Sequence, residues 1–166
     1  MKNKLTAAIL EQIGPNERTY KTVTVLNEYE VRIQEEVRES QLDKVIFDYL
    51  NLFEQASKTG EMDDEFIRGM GPLLHTLMIR EFTDIPGIPH GNTVEELLPY
   101  AIALYDAGIK KPGDVGLMAE ILNHFDSENM KRIYDKLARS GEQIGQTLGE
   151  EVIRKSLASE PTQTHG

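Results

Sequence analysis

The hydrophobic period of this chain changes once, and that change limits the folds open to it. Over Tyr29–Gln34 the apolar residues Tyr29, Val31 and Ile33 alternate with Glu30, Arg32 and Gln34, the period-two pattern of a half-buried strand. A β-branched run, Lys21 to Leu26, precedes it, with Asn27-Glu28 between the two. The pair reads as a β-hairpin over about 21–34 that turns near Asn27. From Ser40 onward the apolar stripes have helical spacing. Two strands alone are marginal in water, so the hairpin must lie on a helix or join the sheet of another chain. The expected fold is mainly α: a single domain over residues 1–157, of five to six short helices with an N-terminal β-hairpin. The polar, aperiodic stretch over 158–166 is expected to be a disordered tail.

The helix boundaries follow from punctuation. MKNKLTAAILEQIG at the N-terminus reads as a short amphipathic helix, ended by Gly14-Pro15-Asn16. Ser40 is the expected N-cap of a helix carrying Leu42, Val45, Ile46, Tyr49 and Phe53, which stops near Lys58-Thr59-Gly60. A second begins near Asp63-Asp64 and carries Phe66, Ile67, Met70, Leu73, Leu74, Leu77, Met78 and Phe82, with Pro72 either kinking it or opening a new helix. Asp84 to Asn92 is a proline- and glycine-bearing loop. Thr93-Val94-Glu95-Glu96 matches a capping box, opening a helix with Leu97, Leu98, Ala101, Ile102, Leu104 and Tyr105. Pro112-Gly113-Asp114 is expected to start another, with Val115, Met118, Ile121, Leu122 and Phe125. Ser127-Glu128 begins the last, with Met130, Ile133, Tyr134, Leu137, Ile144, Leu148 and Val152. Gly141, Gly145 and Gly149 recur at every fourth position of that segment, and each costs up to about 1 kcal/mol relative to Ala in a helix.

Composition narrows the classes of function. In 166 residues, 18 Lys and Arg face 28 Asp and Glu, for a formal net charge of −10. Nucleic-acid binding neutralises phosphates with clustered cations, and the nearest clusters here are only Lys110-Lys111 and Lys131-Arg132. The charge therefore argues against a nucleic-acid partner. Cysteine is absent, which removes disulfides and thiolate metal sites. The N-terminal apolar run, Leu5 to Leu10, falls short of a secretory core. No stretch approaches the roughly 20 apolar residues that span a bilayer. A cytoplasmic protein without a membrane partner is expected.

The search for reactive groups finds no recognisable centre. None of His75, His90, His124 and His165 has another histidine three or four residues away, so no metal site is expected. Glu35-Glu36, Asp63-Asp64-Glu65, Glu95-Glu96 and Glu150-Glu151 lie in hydrophilic runs or first helical turns, where capping and solvation account for them. Asp63-Asp64-Glu65 lacks the alternating spacing of a calcium loop. Ser140-Gly141 lacks the strand that a nucleophile elbow requires. Gly69-Met70-Gly71 has no following Gly-Lys-Ser/Thr, and close approach of helices explains it better than a phosphate loop. These residues give no reason to expect catalysis or a cofactor, which leaves binding surfaces. Two stand out: the methionine-bearing face Met70, Leu74 and Met78, and the distal face Ile144, Leu148 and Val152. Methionine faces adapt to varied partners, and either face would bind if exposed in the free protein.

Three segments carry a family resemblance: Leu73–Ile85 (LLHTLMIREFTDI), Ala103–Ile109 (ALYDAGI) and Ile121–Asp126 (ILNHFD). Following a hairpin in this order, they resemble the small tail assembly chaperones of long-tailed phages and prophages of Gram-positive bacteria, over about residues 20–155. The insert Pro86-Gly87-Ile88-Pro89 and the Gly141, Gly145, Gly149 series depart from that family's pattern. The resemblance implies a non-enzymatic protein that binds the tape measure protein, a very long helical chain. It would keep that chain soluble until tail tube protein polymerises around it. Self-association is compatible with such a role. The alternatives are a structural virion component, such as a tail connector or completion protein, and a small phage protein that binds a host protein.

Overall fold

The computed structural model describes residues 2–13, 18–60 and 62–141. The elements run α1 (Ala7–Ile13), β1 (Tyr20–Val25), β2 (Tyr29–Gln34), α2 (Glu39–Thr59), α3 (Asp64–Phe82), α4 (Val94–Asp106), α5 (Leu117–Asn123) and a helix over 127–141, α6. The protein is mainly α with an N-terminal β-hairpin, as the change of period predicts. Ile144, Leu148, Val152 and the expected tail lie outside the described residues.

β1 and β2 pair antiparallel, with Val23 opposite Val31 and Val25 opposite Tyr29. The Glu28 N–H closes the turn on the Val25 carbonyl at 3.1 Å. Leu26 and Asn27 between them have φ of 53° and 56°, the left-handed pair that suits the twist of a hairpin. Asn accepts that conformation readily, whereas Leu pays about 1–2 kcal/mol for it. Leu26 is held there from outside, since its N–H donates to Glu120 Oε1 on α5 at 3.0 Å. On its inner face the hairpin packs Val25, Val31 and Ile33 against Ile79, Ile88, Leu104, Met118 and Ile121. Of the two supports open to a lone hairpin, the helices of its own chain provide this one. The outer edge of β2 is pinned as well. Ile33 bridges Thr83, Asp84 N–H donates to the Arg32 carbonyl at 3.1 Å, and Arg32 N–H donates to Asp84 Oδ1 at 2.8 Å.

α2 is capped by Arg38, not by Ser40. The Gln41 side chain reaches back to accept from the Arg38 N–H at 3.0 Å, the reciprocal half of a capping box, and Ser40 becomes an exposed first-turn residue. Gly60 ends the helix at φ 72°, donating to the Ala56 carbonyl. α3 starts where its acidic pair predicts: Asp63 Oδ1 accepts from the Phe66 N–H at 2.9 Å. Pro72 lies inside this one helix and does not open a new one. α4 is capped by Thr93, whose hydroxyl accepts from the Glu96 N–H at 3.2 Å.

The expected helix start at Pro112-Gly113-Asp114 is not realised. Asp114 Oδ2 accepts from the N–H groups of Lys110 and Lys111 at 3.0 and 3.1 Å. The carboxylate thus closes a turn instead of capping a helix. α5 begins later, at Leu117, and Val115 stands exposed outside it. α6 is capped by Asp126, whose Oδ1 accepts from Glu128 and Asn129 at 2.9 and 3.1 Å.

The main core lies among α2, α3, α4 and α6, built on Leu42, Leu52, Leu73, Leu77, Leu97 and Ile133. A second cluster lies under the hairpin. Leu122 and Phe125 pack against both and join them into one interior.

Candidate functional site

The methionine-bearing face points inward. Met78 is fully buried, Leu74 is nearly so, and Met70 is half-buried against the same core. In the folded chain Leu74 and Met78 can meet a partner only by leaving the interior. The condition that would make this face a binding surface, exposure in the free protein, is therefore not met for those two residues.

A surface that combines apolar and charged groups is a groove of about 900 Å3 between the first half of α3 and the end of α4. Asp64, Glu65, Arg68, Gly69 and Pro72 line it from α3, and Ile102, Tyr105 and Asp106 from α4. The α3 residues recur at i, i+4 and i+8, which places them on one face. Gly69 explains how near the two helices come. A Cβ built on it would overlap Leu98 Cδ1 of α4, so any larger residue would force the Leu98 side chain out of its place. The groove has an apolar floor, Pro72 and Ile102, and Tyr105 stands 52% exposed. Its rim carries the carboxylates of Asp64, Glu65 and Asp106 and, among the described residues, the single cation Arg68.

A smaller hollow of about 360 Å3 lies between α2 and α6, lined by Asp43, Ile46, Phe47, Leu50, Lys136, Arg139 and Ser140. Phe47 is 63% exposed at this place. Lys136 here is drawn into ion pairs with Asp43 and with Glu39, the latter at 2.6 Å. Hydrogen bonds from Arg132 and then Lys136 hold the Glu39 carboxyl down at about 2. These charges clamp α6 to the start of α2. His75 lies nearby on α3, its Nε2 3.1 Å from the Tyr134 hydroxyl of α6. Burial lowers its pKa below the usual value. His90 is exposed and His124 ends α5. Among the described residues no three His, Asp or Glu side chains stand together as a possible ion site. No helix among them is long and apolar enough to cross a membrane.

α1 is a short apolar element at the surface. It is seven residues long and none of them is buried. Leu10 and Ile13 are 57% and 67% exposed. Thr6 caps it, accepting from the Ile9 N–H through its hydroxyl at 3.2 Å and from the Leu10 N–H through its carbonyl at 2.9 Å.

The groove was not evident from sequence, because Ile102 and Tyr105 read as part of the core stripe of α4. A signal was present. Leu97, Leu98, Ala101, Ile102, Leu104 and Tyr105 together cover a wider arc than one core-facing stripe needs.

A protein-family model described as YomO matches residues 10–165, nearly the whole chain. The chain therefore belongs to the YomO family, which is associated with phages and prophages. No curated protein and no solved structure matches it.

Proposed function

We propose that this member of the YomO family is a non-enzymatic assembly chaperone of phage tails. In this reading it binds the tape measure protein in the host cytoplasm and keeps it soluble until tail tube protein polymerises around it. One observation carries the reading: the acidic-rimmed apolar groove between α3 and α4 has the size and chemistry of a helix-binding site. A helix about 10 Å across that rises 5.4 Å per turn fills roughly this volume in two turns. Amphipathic helices dock by laying an apolar stripe into such a groove. The carboxylates of Asp64, Glu65 and Asp106 favour a stripe flanked by Lys or Arg, through complementary charge at the rim. A site of this size binds weakly relative to standard interfaces. A chaperone that polymerising tube subunits must displace needs that weakness. The sequence resemblance to tail assembly chaperones points to the same kind of partner.

The test is co-expression with the long helical protein encoded downstream of its own gene. The long protein is expected to be soluble and to co-purify with the wild type, and to be lost with Tyr105→Glu or Ile102→Glu. If it is fully soluble alone and never co-purifies, the proposal fails. Mass spectrometry of finished particles separates the runner-up reading. A chaperone is absent from them, whereas a tail connector or completion protein remains.

A further inference from the structure

We propose that, in the free protein, α1 of one copy occupies the α3–α4 groove of a second copy, so that the chain covers its own binding site until a partner displaces it. This rests on reading the groove as a helix-binding site.

Three independent features of the molecule fit together. The first is shape. Isolated helices of fewer than about 12 residues are marginal in water, and α1 has seven residues with none buried. Seven residues make about two turns, the length the groove accommodates. The second is pattern. Thr6, Ile9, Leu10 and Ile13 share one face of α1, with Glu11 and Gln12 on the other. The stripe would meet the floor formed by Pro72, Ile102 and Tyr105. The third is charge. Lys2 and Lys4 precede α1 and are exposed, while the groove presents Asp64, Glu65 and Asp106.

The occupant is a second copy because, within the chain itself, no residue of α1 is buried and none lines the groove. Such a contact is head-to-tail, using different surfaces on the two copies, so it can propagate into chains or rings. The small area keeps each contact weak, so a longer amphipathic helix presented by a partner can replace α1.

The experiment is sedimentation of the full chain over a wide concentration range, with Ile13→Glu in α1 and Tyr105→Glu in the groove. The wild type is expected to gain mass with concentration, and each variant alone to stay monomeric. Both sites are exposed, and unchanged circular dichroism and melting confirm that each variant is folded. Mixed together, the two variants are expected to form a dimer and nothing larger, because one retains the groove and the other retains α1. A wild type that is monomeric throughout, an oligomer that survives Ile13→Glu, or a mixture that stays monomeric would each overturn the proposal. Co-purification of the long helical protein distinguishes the two readings. Ile13→Glu is expected to retain it more tightly than the wild type does. If Tyr105→Glu abolishes self-association yet keeps the long protein, the groove's role in partner binding fails while the self-contact stands.

Discussion

Arg80 Nη2 donates to Asn92 Oδ1 at 2.6 Å, tying the last turn of α3 to the end of the proline-bearing loop. The same guanidinium donates through Nη1 to the carbonyls of Pro89 and Gly91 at 2.9 and 3.0 Å. Nη2 also faces Asp48 Oδ2 at 3.4 Å, and Asn92 Nδ2 donates to Asp48 Oδ1 at 3.2 Å. The Arg80 and Asp48 side chains are only 11% and 8% exposed. One fixed fork of donors thus orders the end of a loop whose start is paired to β2. It also seats Ile88 in the core beneath the hairpin.

Removing the fork should therefore cost much more than a surface ion pair. Arg80→Ala leaves the buried Asp48 carboxylate with Asn92 but without its cation, and a loss of about 3 kcal/mol is expected in urea denaturation. Arg80→Lys keeps the charge but not the fork and should fall between the two. A loss below about 1 kcal/mol for Arg80→Ala, the range of an exposed ion pair, would show that the loop is held mainly by Ile88.

Gly69→Ala and Gly71→Ala make the same chemical change two residues apart on α3, and opposite signs are expected. At Gly71 a Cβ meets nothing within 4 Å, so the helix-forming gain of up to about 1 kcal/mol is realised. At Gly69 the Cβ overlaps Leu98, which is buried in the core. Overpacking of about 1–3 kcal/mol then exceeds that gain. Thermal melting of the two variants decides the point, and equal shifts of the same sign would refute the close approach of α3 and α4.

His75 gives the fold a pH dependence. Burial lowers its folded-state pKa below the ordinary histidine value of about 6.5. Between the two values the unfolded chain binds more protons, so stability is lost as pH falls below about 6.5. Urea denaturation at pH 7.5 and 5.5 should show a larger loss for the wild type than for His75→Gln. Parallel slopes would show that burial of His75 does not set its titration.

The hairpin turn depends on α5. Leu26 takes a left-handed φ while its N–H rests on Glu120 Oε1. Glu120→Ala should cost about 1 kcal/mol and speed hydrogen exchange at the Leu26 amide. If that amide exchanges at the wild-type rate, the turn is self-sufficient.

Much of this fold can be read along the chain because the relevant forces are local. Alternation at Tyr29, Val31 and Ile33 specifies a strand, and Asp63, Thr93 and the Leu73–Leu77 stripe place helices by contacts that span three or four residues. The same locality explains the misplacements. Ser40 and Asp114 are both good capping residues, but Gln41 reached Arg38 first and Asp114 turned back onto Lys110 and Lys111. Short-range competition of this kind depends on side-chain geometry that residue identity leaves open.

Which apolar face is core and which is surface was decided only in three dimensions. Met70, Leu74 and Met78 have the same spacing whether they face a neighbour helix or a partner, and only tertiary packing around α3 buries Leu74 and Met78 and half-buries Met70. Ile102 and Tyr105 read as core by the same rule, yet the approach of α4 at Gly69 leaves them beside an open groove. The sequence by itself determined the mainly α class, the hairpin and the acidic balance, because period, turn residues and charge act locally or additively. The groove and the exposed α1 came from tertiary structure alone, since a concavity belongs to the relative placement of two helices and not to either one.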